Sequence, residues 1–417
     1  MAGSGNPGPR RALIIGGSMA GLFAGLSLLR DGWDVHVFER IGSELSGRGA
    51  GIVTHAELLD ILKTCGADSE AARVGVFVPG RRVFARDGAV AGELRLEQVV
   101  TSWGHLYALL RSALPSERYH HGRTLTRVEE AGARVRAHFD DGSVEEGDLL
   151  IGADGIASTI RQQFMPDVQA SYVGYIAWRG LVPEGLLSEN AQAELADYFA
   201  FSLPPGEQML GYPVAGENEA LERGRRRFNF VWYRPAPAGT VLADMLTDTD
   251  GVRHALSIPP NKIRPDVIAE MRRAARETLS PQFAEVVERT AHPFIQVIQD
   301  LVSPRMVLGR RTLILGDAAF VARPHVGMGV TKAAGDADAL ARLLREQAQT
   351  DTGMDAALAA FEAERQPYGA AVVRRARQLG SYLQADLVSE EDKAAAAHHC
   401  QPDAIMAETA VNTGIAA

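Results

Sequence analysis

The alternation of apolar and polar residues changes period several times along this chain, and each change marks an element. An unbroken apolar run, Ala12-Leu13-Ile14-Ile15, stops at Gly16-Gly17 and passes into a mostly apolar stretch that Asp31-Gly32 ends. The pattern predicts a buried strand, a tight turn and a helix. Asp34-Val35-His36-Val37-Phe38-Glu39 reads as a second strand and completes a βαβ unit. Gly47 to Gly51 predicts a loop entering a helix around Glu57 to Thr64, and residues 75–140 mix short strands with a helix from His105 to Leu114. Leu149-Leu150-Ile151 and Arg311 to Leu315 are further buried strands, each stopped by glycine. Between them the runs Tyr172 to Leu181, Asp197 to Leu203, Gln208 to Val214 and Arg227 to Tyr233 are rich in Tyr, Trp, Val and Phe, which predicts an antiparallel sheet with one face turned to a cavity. Strand alternation puts Gln208, Leu210 and Tyr212 on one face, and Asn229, Val231 and Tyr233 together on one face of theirs. Pro235 to Lys262 is a polar, turn-rich connection; Arg264 to Leu279 and Gln282 to Arg289 are helical, Phe294 to Ile298 is a strand, and Asp336 to Arg345 and Ala356 to Leu383 are helical again. Residues 1–9 are expected to be a disordered leader, and the Ala-rich tail after Asp386 to be loosely held or used by a partner subunit. There is no internal repeat.

Composition narrows the class. A 417-residue chain with 46% apolar residues buries a sizeable core, in two domains or one large interleaved one. A net charge of −9 argues against a nucleic-acid or anionic-membrane partner. The arginine run from Arg223 to Arg227 is broken by Gly224 and reads as a solvated hairpin end. Two cysteines, Cys65 and Cys400, are too few for a disulfide framework and fit a reducing, cytoplasmic compartment. Arg10-Arg11 before the apolar stretch imitates a secretory leader, but Gly16, Gly17, Gly21 and Gly25 break it into strand, turn and helix. No metal is implied, because His120-His121 and His398-His399 are adjacent pairs without the spacing that sets two ligands on one helix face.

Three glycine-rich segments carry the candidate chemistry. In the first, Gly16 makes the turn, Ser18, Met19 and Ala20 open the helix, and Gly21 allows close packing of helix on strand, which suits a pyrophosphate at the helix N-terminus. Ser18 stands where a second glycine is usual. Glu39 lies 23 residues after Gly16, near the offset expected for a carboxylate that accepts ribose hydroxyls, with Arg40 beside it. The second segment is Gly152-Ala153-Asp154-Gly155, followed by Ser158 and Arg161; the third is Gly316-Asp317-Ala318-Ala319, followed by Pro324-His325-Val326-Gly327-Met328-Gly329-Val330. Singly, each is a generic strand-to-helix turn.

In this order and at these distances the three segments resemble the group A flavoprotein aromatic hydroxylases, the para-hydroxybenzoate hydroxylase-like family, over nearly the whole chain. The resemblance implies an α/β fold in which a Rossmann-type FAD-binding domain is interleaved with an antiparallel β-sheet substrate domain and a C-terminal helical region. The corresponding division is 1–75 FAD-binding, 76–100 substrate-domain insertion, 101–170 FAD-binding, 171–300 substrate sheet, 301–350 FAD-binding and 351–417 C-terminal helix and tail. It also implies noncovalent FAD, with NADPH or NADH and O2 as co-substrates. Asp154, Gly155 and Arg161 would lie near the FAD pyrophosphate, Asp317 at the ribityl chain, Pro324 at the flavin ring, and the turn through Gly327, Met328, Gly329 and Val330 would offer backbone N–H groups to the isoalloxazine; Arg48 and Gly49 belong to a loop beside the flavin. Two departures are Phe320, where the family has histidine, and Thr331, where it has asparagine. A family arginine near position 103 is missing from Thr101 to Tyr107.

Gly51-Ile52-Val53, Gly174-Tyr175 with Trp178-Arg179-Gly180, Tyr212-Pro213, Asn229-Phe230 with Trp232-Tyr233, and Arg323-Pro324-His325 resemble the hydroxypyridine-oxidising branch of that family. Hydroxynicotinate-oxidising members carry histidine and tyrosine at the places of Gln208 and Tyr212, and a histidine matching His55. The resemblance therefore implies His55 as base or proton relay and Tyr212 as the partner of a ring oxygen, with Gln208, Asn229, Pro324 and His325 as further substrate contacts. Histidine suits the base, since its ordinary pKa lies nearest neutrality. The expected reaction hydroxylates an electron-rich ring, a hydroxypyridine, pyridinol or phenol, through a flavin C4a-hydroperoxide; a natural-product tailoring role stands beside a catabolic one. A flavin oxidoreductase without hydroxylation and a non-enzymatic flavin-binding regulator stay open as alternatives. Halogenases of this fold carry Trp-x-Trp, which this chain lacks, and a nicotinamide dehydrogenase leaves Asp154 and Asp317 without purpose. The expected partner is a small aromatic substrate, with no nucleic acid and no membrane insertion; whether the chain forms a homo-oligomer is left open by the sequence.

Overall fold

The computed structural model describes residues 8–45, 51–67, 74–259, 261–348, 350–384, 387, 389–412 and 415. Most of the expected leader, together with Arg48 and Gly49, lies outside them.

The apolar strand Arg11–Ile15 is the centre of a five-stranded sheet, in the order Thr312–Ile314, Leu149–Gly152, Arg11–Ile15, Asp34–Glu39, Tyr119–His121, paired in parallel. A central parallel strand is covered on both faces, and so Ala12, Leu13 and Ile14 are fully buried. The helix Met19–Arg30 packs on one face of this sheet with the helix Gly329–Gln347 beside it. Gly16 turns the chain at φ +109°, a conformation that disfavours a side chain. A Cβ on Gly21 would overlap the Gly16 carbonyl oxygen, so helix and strand approach as they do only with glycine there.

The second layer is a nine-stranded sheet in the order Phe320–Val321, Phe294–Val302, Ser171–Pro183, Arg227–Pro235, Gln208–Val214, Phe199–Ser202, Val76–Phe84, Val90–Ser102, Gly51–Val53. The four expected runs between 172 and 233 are thus its middle, and Gly51–Val53, expected within the first FAD-binding unit, is its edge. Its two faces divide the residues by parity. Ile176, Trp178, Met209, Phe228, Phe230 and Trp232 pack to the rear against the helices Pro265–Thr278 and Pro281–Arg289. Tyr175, Ala177, Leu210, Tyr212, Val231 and Tyr233 face the other way. Each fully buried large side chain contributes about 1.5–3 kcal/mol of hydrophobic stabilisation, which fixes the register because a one-residue slip would exchange the faces. A three-stranded sheet, Leu125–Ala131, Arg134–Phe139 and Val144–Gly147, flanks the parallel sheet.

Two regions differ from expectation. The polar connection 235–262 contains a short helix, Thr240–Met245. The tail is not loosely held: it forms the helices Glu390–His399 and Pro402–Glu408 and docks onto the large sheet. Carbonyl groups at a helix end need donors, and here buried side chains supply them. The Arg81 guanidinium donates to the carbonyls of Met406 (2.7 Å) and Thr409 (2.6 Å), Gln98 Nε2 donates to Ala410 O (3.0 Å), and Ala410 N donates to His325 O (2.7 Å).

Candidate active site

The fold gathers the three glycine segments at the C-terminal ends of the parallel strands, where open α/β sheets bind ligands. Ala153 N donates to Ile15 O at 2.7 Å and Leu315 N to Gly152 O at 2.9 Å, which sets the three turns side by side. Gly316 comes against Ala20. The Arg161 guanidinium spans the second and third segments by donating to the carbonyls of Ala318 (2.7 Å) and Ile156. Arg161, expected at the pyrophosphate, is 3% exposed and braces the turns from behind.

A cavity of ≈400 Å³ opens above these turns, lined by Gly16, Ser18, Glu39, Arg40, Asp154 and Gly155 and also by Trp103, Arg123 and Thr124. Glu39 accepts from Gly17 N and from Ile41 N, both at 2.9 Å, so its carboxylate is held rigidly at the mouth. Asp154 Oδ2 accepts from Thr159 N at 2.8 Å, while Oδ1 is buried without a partner; burial pushes this carboxyl above the usual range. Arg40 forms no ion pair among the described residues, and Arg123 stacks on Phe139 at 4.4 Å. Met19, Ala20 and Gly21 are buried in the first helical turn, so they offer backbone and not side chain.

The second cavity, ≈200 Å³, lies between the front of the large sheet and the third glycine segment. From that segment Asp317, Pro324, Gly327, Gly329 and Val330 line it; from the sheet come Arg179, Phe199, Leu210, Tyr212, Val231 and Tyr233; Thr409 and Ala410 of the tail close it. Asp317 reaches into the cavity, so its exposed surface is cavity surface and not bulk surface. Its depth pushes its pKa up by desolvation, opposed by nearby Lys332. Met328 is fully buried against Val326, Val372 and Ala376 and contributes only backbone.

The expected substrate residues divide. Tyr212 lines the cavity, its ring packed at a tilt against Phe199 at 4.8 Å between centroids. Its hydroxyl bonds to no described residue, and burial pushes its pKa well up, opposed by Arg179, so it stays a phenol. Asn229, opposite Tyr212 on the adjacent strand, accepts from Gly51 N at 2.8 Å and keeps that edge close; a Cβ on Gly51 would run into both side chains. Gln208 and His325 bond to each other, Nδ1 to Oε1 at 2.9 Å, and neither lines the cavity. Since Oε1 only accepts, His325 carries its proton on Nδ1, and Nε2 accepts from the Tyr175 hydroxyl at 3.0 Å. Burial pushes the His325 pKa down to about 3, so the ring is neutral and acts as a fixed strut under Pro324. His55 is also buried behind the wall. Its Nε2 lies 3.2 Å from Gly327 O, an acceptor, so that nitrogen bears the proton and Nδ1 is the basic one; desolvation lowers its pKa, partly offset by the Gly327 bond.

Arg179, Gln296, Phe199, Thr409 and Ala410 were not among the expected site residues. Parity along Ser171–Pro183, which pairs Arg179 with Val231 and Ala177 with Tyr233, carried the signal for Arg179. No local pattern carries it for the tail.

Against known proteins, residues 10–184 and 261–376 match the FAD binding domain family, and residues 172–300 an FAD binding domain-like family. The chain belongs to the FAD binding domain family, as the gathered glycine turns and the interleaved sheet require. Within it, the chain is 31% identical to 2,6-dihydroxypyridine 3-monooxygenase of Paenarthrobacter nicotinovorans over 91% of this chain and 93% of that one. The structure of 2,6-dihydroxypyridine-3-hydroxylase from Arthrobacter nicotinovorans matches with TM-score 0.84 at 30% identity, covering 91% of this chain and 94% of the other. Klebsiella pneumoniae HpxO, complexed with FAD and uric acid, shares the fold with TM-score 0.74 at 22% identity over 96% and 97% of the two chains. No described helix is long and apolar enough to cross a membrane.

The residues fit FAD. The Gly16 turn and first helical turn present backbone to one cavity, Arg40 lines it with no ion pair among the described residues, and the buried atoms Asp154 Oδ1 and Thr331 Oγ1 mark polar groups near the glycine turns without a hydrogen-bond partner.

Proposed function

We propose that this protein is a cytoplasmic FAD-dependent monooxygenase that consumes NADPH or NADH and O2 to hydroxylate an electron-rich ring already bearing a hydroxyl, a hydroxypyridine, pyridinol or phenol. The observation that carries this reading is the second cavity, where tyrosine hydroxyls that bond to no described residue and an apolar wall face Asp317 and the Gly327 to Gly329 turn. The chemistry supplied with FAD bound is reduction by NAD(P)H and activation of O2, so that one oxygen atom enters the ring and the other leaves as water.

Glu39, Arg40, Asp154 and Gly155 would hold the dinucleotide end; Asp317, Pro324 and the Gly327 to Gly329 backbone would hold the flavin end. Phe199, Leu210 and Val231 give the ring an apolar slot, and Ala410 helps exclude water. The Tyr212 hydroxyl, held protonated by burial, orients a ring oxygen. His55, neutral at pH 7 because burial lowers its pKa, stands behind the cavity wall and serves as the proton relay, receiving the ring-hydroxyl proton at Nδ1 at one remove while Nε2 stays on Gly327 O. The free thiols of Cys65 and Cys400 suit a reducing compartment. The test is NAD(P)H oxidation by the FAD-loaded protein across a panel of hydroxypyridines and phenols. Stimulation by one of them with a product heavier by one oxygen supports the reading; NAD(P)H consumption indifferent to every ring refutes it.

A further inference from the structure

The cavity wall contains a cation with no carboxylate partner among the described residues. Most of the fully buried arginines have a carboxylate: Arg226 has Glu184 at 2.7 Å, Arg323 has Asp300 at 2.8 Å and Arg365 has Asp336 at 2.9 Å. Arg81 and Arg161 have backbone carbonyls instead. Arg179 has neither. Its Nη1 donates to Gln296 Oε1 at 2.7 Å, its Nε is buried without a partner, and no carboxylate of the described residues lies within 4.0 Å of it.

Gln296 is a neutral acceptor, so it fixes the direction of the guanidinium without cancelling its charge. The setting is regular: Ala177 lies between Tyr233 and Gln296 on the neighbouring strands, and one pleat further along Arg179 lies between Val231 and Phe294. All project to the same face. Arg179, Gln296, Tyr212 and Tyr233 therefore share one cavity, and neither tyrosine hydroxyl bonds to a described residue. Because burial keeps both phenols protonated, each is a donor in waiting. The remaining charges on the wall are not free to balance Arg179: Arg323 is itself a cation held by Asp300, and Asp317 stands on the flavin-side segment.

A half-buried guanidinium with no carboxylate beside it favours an anion in the cavity it lines, and one cation with two phenolic donors complements an acceptor-rich anionic edge. We propose that Arg179 is the specificity-determining residue of the cavity and that the substrate ring carries an ionised oxygen, a carboxylate or a deprotonated ring hydroxyl, which Arg179 binds while Tyr212 and Tyr233 donate to the same edge. This rests on the reading of the cavity as the hydroxylation site, and deepens it by naming the charge of the substrate.

The experiment is equilibrium titration of the FAD-loaded protein, followed by perturbation of the flavin absorbance, with three probes. 6-Hydroxynicotinate carries a carboxylate, 6-hydroxynicotinamide is its neutral near-isostere, and 2,6-dihydroxypyridine is titrated above and below the ionisation of its ring hydroxyl. The wild type should bind at least one anionic form about tenfold or more tightly than the neutral one. The carboxylate arm and the ionisation arm tell which oxygen is recognised. Arg179→Gln should bring that ratio near unity with FAD content unchanged, and Arg179→Lys should restore part of it. Equal binding of charged and neutral probes by the wild type, or an anion preference that survives Arg179→Gln, overturns the proposal. An anion preference that depends on Arg179, in a protein that never adds oxygen to a ring, would sustain the anion site and sink the hydroxylase reading instead.

Discussion

Tyr212→Phe separates substrate contact from packing more cleanly than any other change in the cavity. The substitution removes one hydroxyl and keeps the ring that packs against Phe199 at 4.8 Å and closes against Gly51. The lost hydroxyl makes no hydrogen bond to a described residue, so the fold loses little: stability should move by less than about 1 kcal/mol. A hydrogen bond to the substrate in a desolvated cavity is worth on the order of 1 to 3 kcal/mol, which predicts a fall in kcat/KM of roughly 5- to 150-fold. A poorly aligned ring also lets activated oxygen escape, so H2O2 released per NAD(P)H should rise. Stopped assays of product and H2O2 against NAD(P)H consumed, beside thermal unfolding, read all three quantities. A variant with normal efficiency and normal coupling would show that Tyr212 is core and that the substrate lies elsewhere.

Three further outcomes follow from the same geometry. Acid precipitation should release all flavin from the polypeptide, and Glu39→Ala, which removes the acceptor of Gly17 N and Ile41 N, should weaken FAD retention at least tenfold by ultrafiltration; flavin that stays on the precipitated chain contradicts the first statement, and unchanged retention the second. His325 has its pKa pushed from 6.5 to about 3, so the unfolded chain binds the extra proton in that window: this residue's stabilisation is present above pH 6.5 and drains at up to ~1.4 kcal/mol per pH unit as pH falls towards 3. Stability curves of wild type and His325→Gln should therefore converge on acidification, and parallel curves would refute the assignment. Arg81, a buried cation whose pKa is lowered to about 9, holds the tail by its carbonyls, so Arg81→Met should speed hydrogen exchange in residues 402–410 and increase H2O2 leakage; unaltered exchange there would mean the tail is held by other contacts.

What could be read in advance follows the range of the interactions. The first βαβ unit was legible because its signals are local: an apolar run, a glycine turn, a helix stop at Asp31-Gly32 and an acid at the end of the next strand. The large sheet was legible as strands, since aromatic and β-branched residues cluster from 171 to 234, and parity set Tyr212 with Gln208 and Tyr233 with Asn229 on one face of each strand; that the two faces coincide is fixed by the pairing of the strands. Arg179 was not expected in the cavity: parity along its strand carries the signal, but which face it reaches and which carboxylates are near are tertiary facts. Gln208 was expected at the substrate; it bonds to His325, from a segment more than a hundred residues away, and only the folded chain sets that partner. The docking of the tail was not legible because Ala-rich helices have little stability of their own, and the contacts that hold it come from Arg81 and Gln98 on distant strands.

The central claim, that the two cavities together place oxygen on a ring, is tested most directly by supplying heavy-isotope O2 to the FAD-loaded protein with NAD(P)H and a hydroxypyridine that stimulates its oxidation. The account predicts a product carrying one heavy oxygen atom on a ring carbon, in an amount that follows NAD(P)H consumed less H2O2 formed. A product whose new oxygen comes from water, or consumption that yields H2O2 alone with every ring offered, would contradict it.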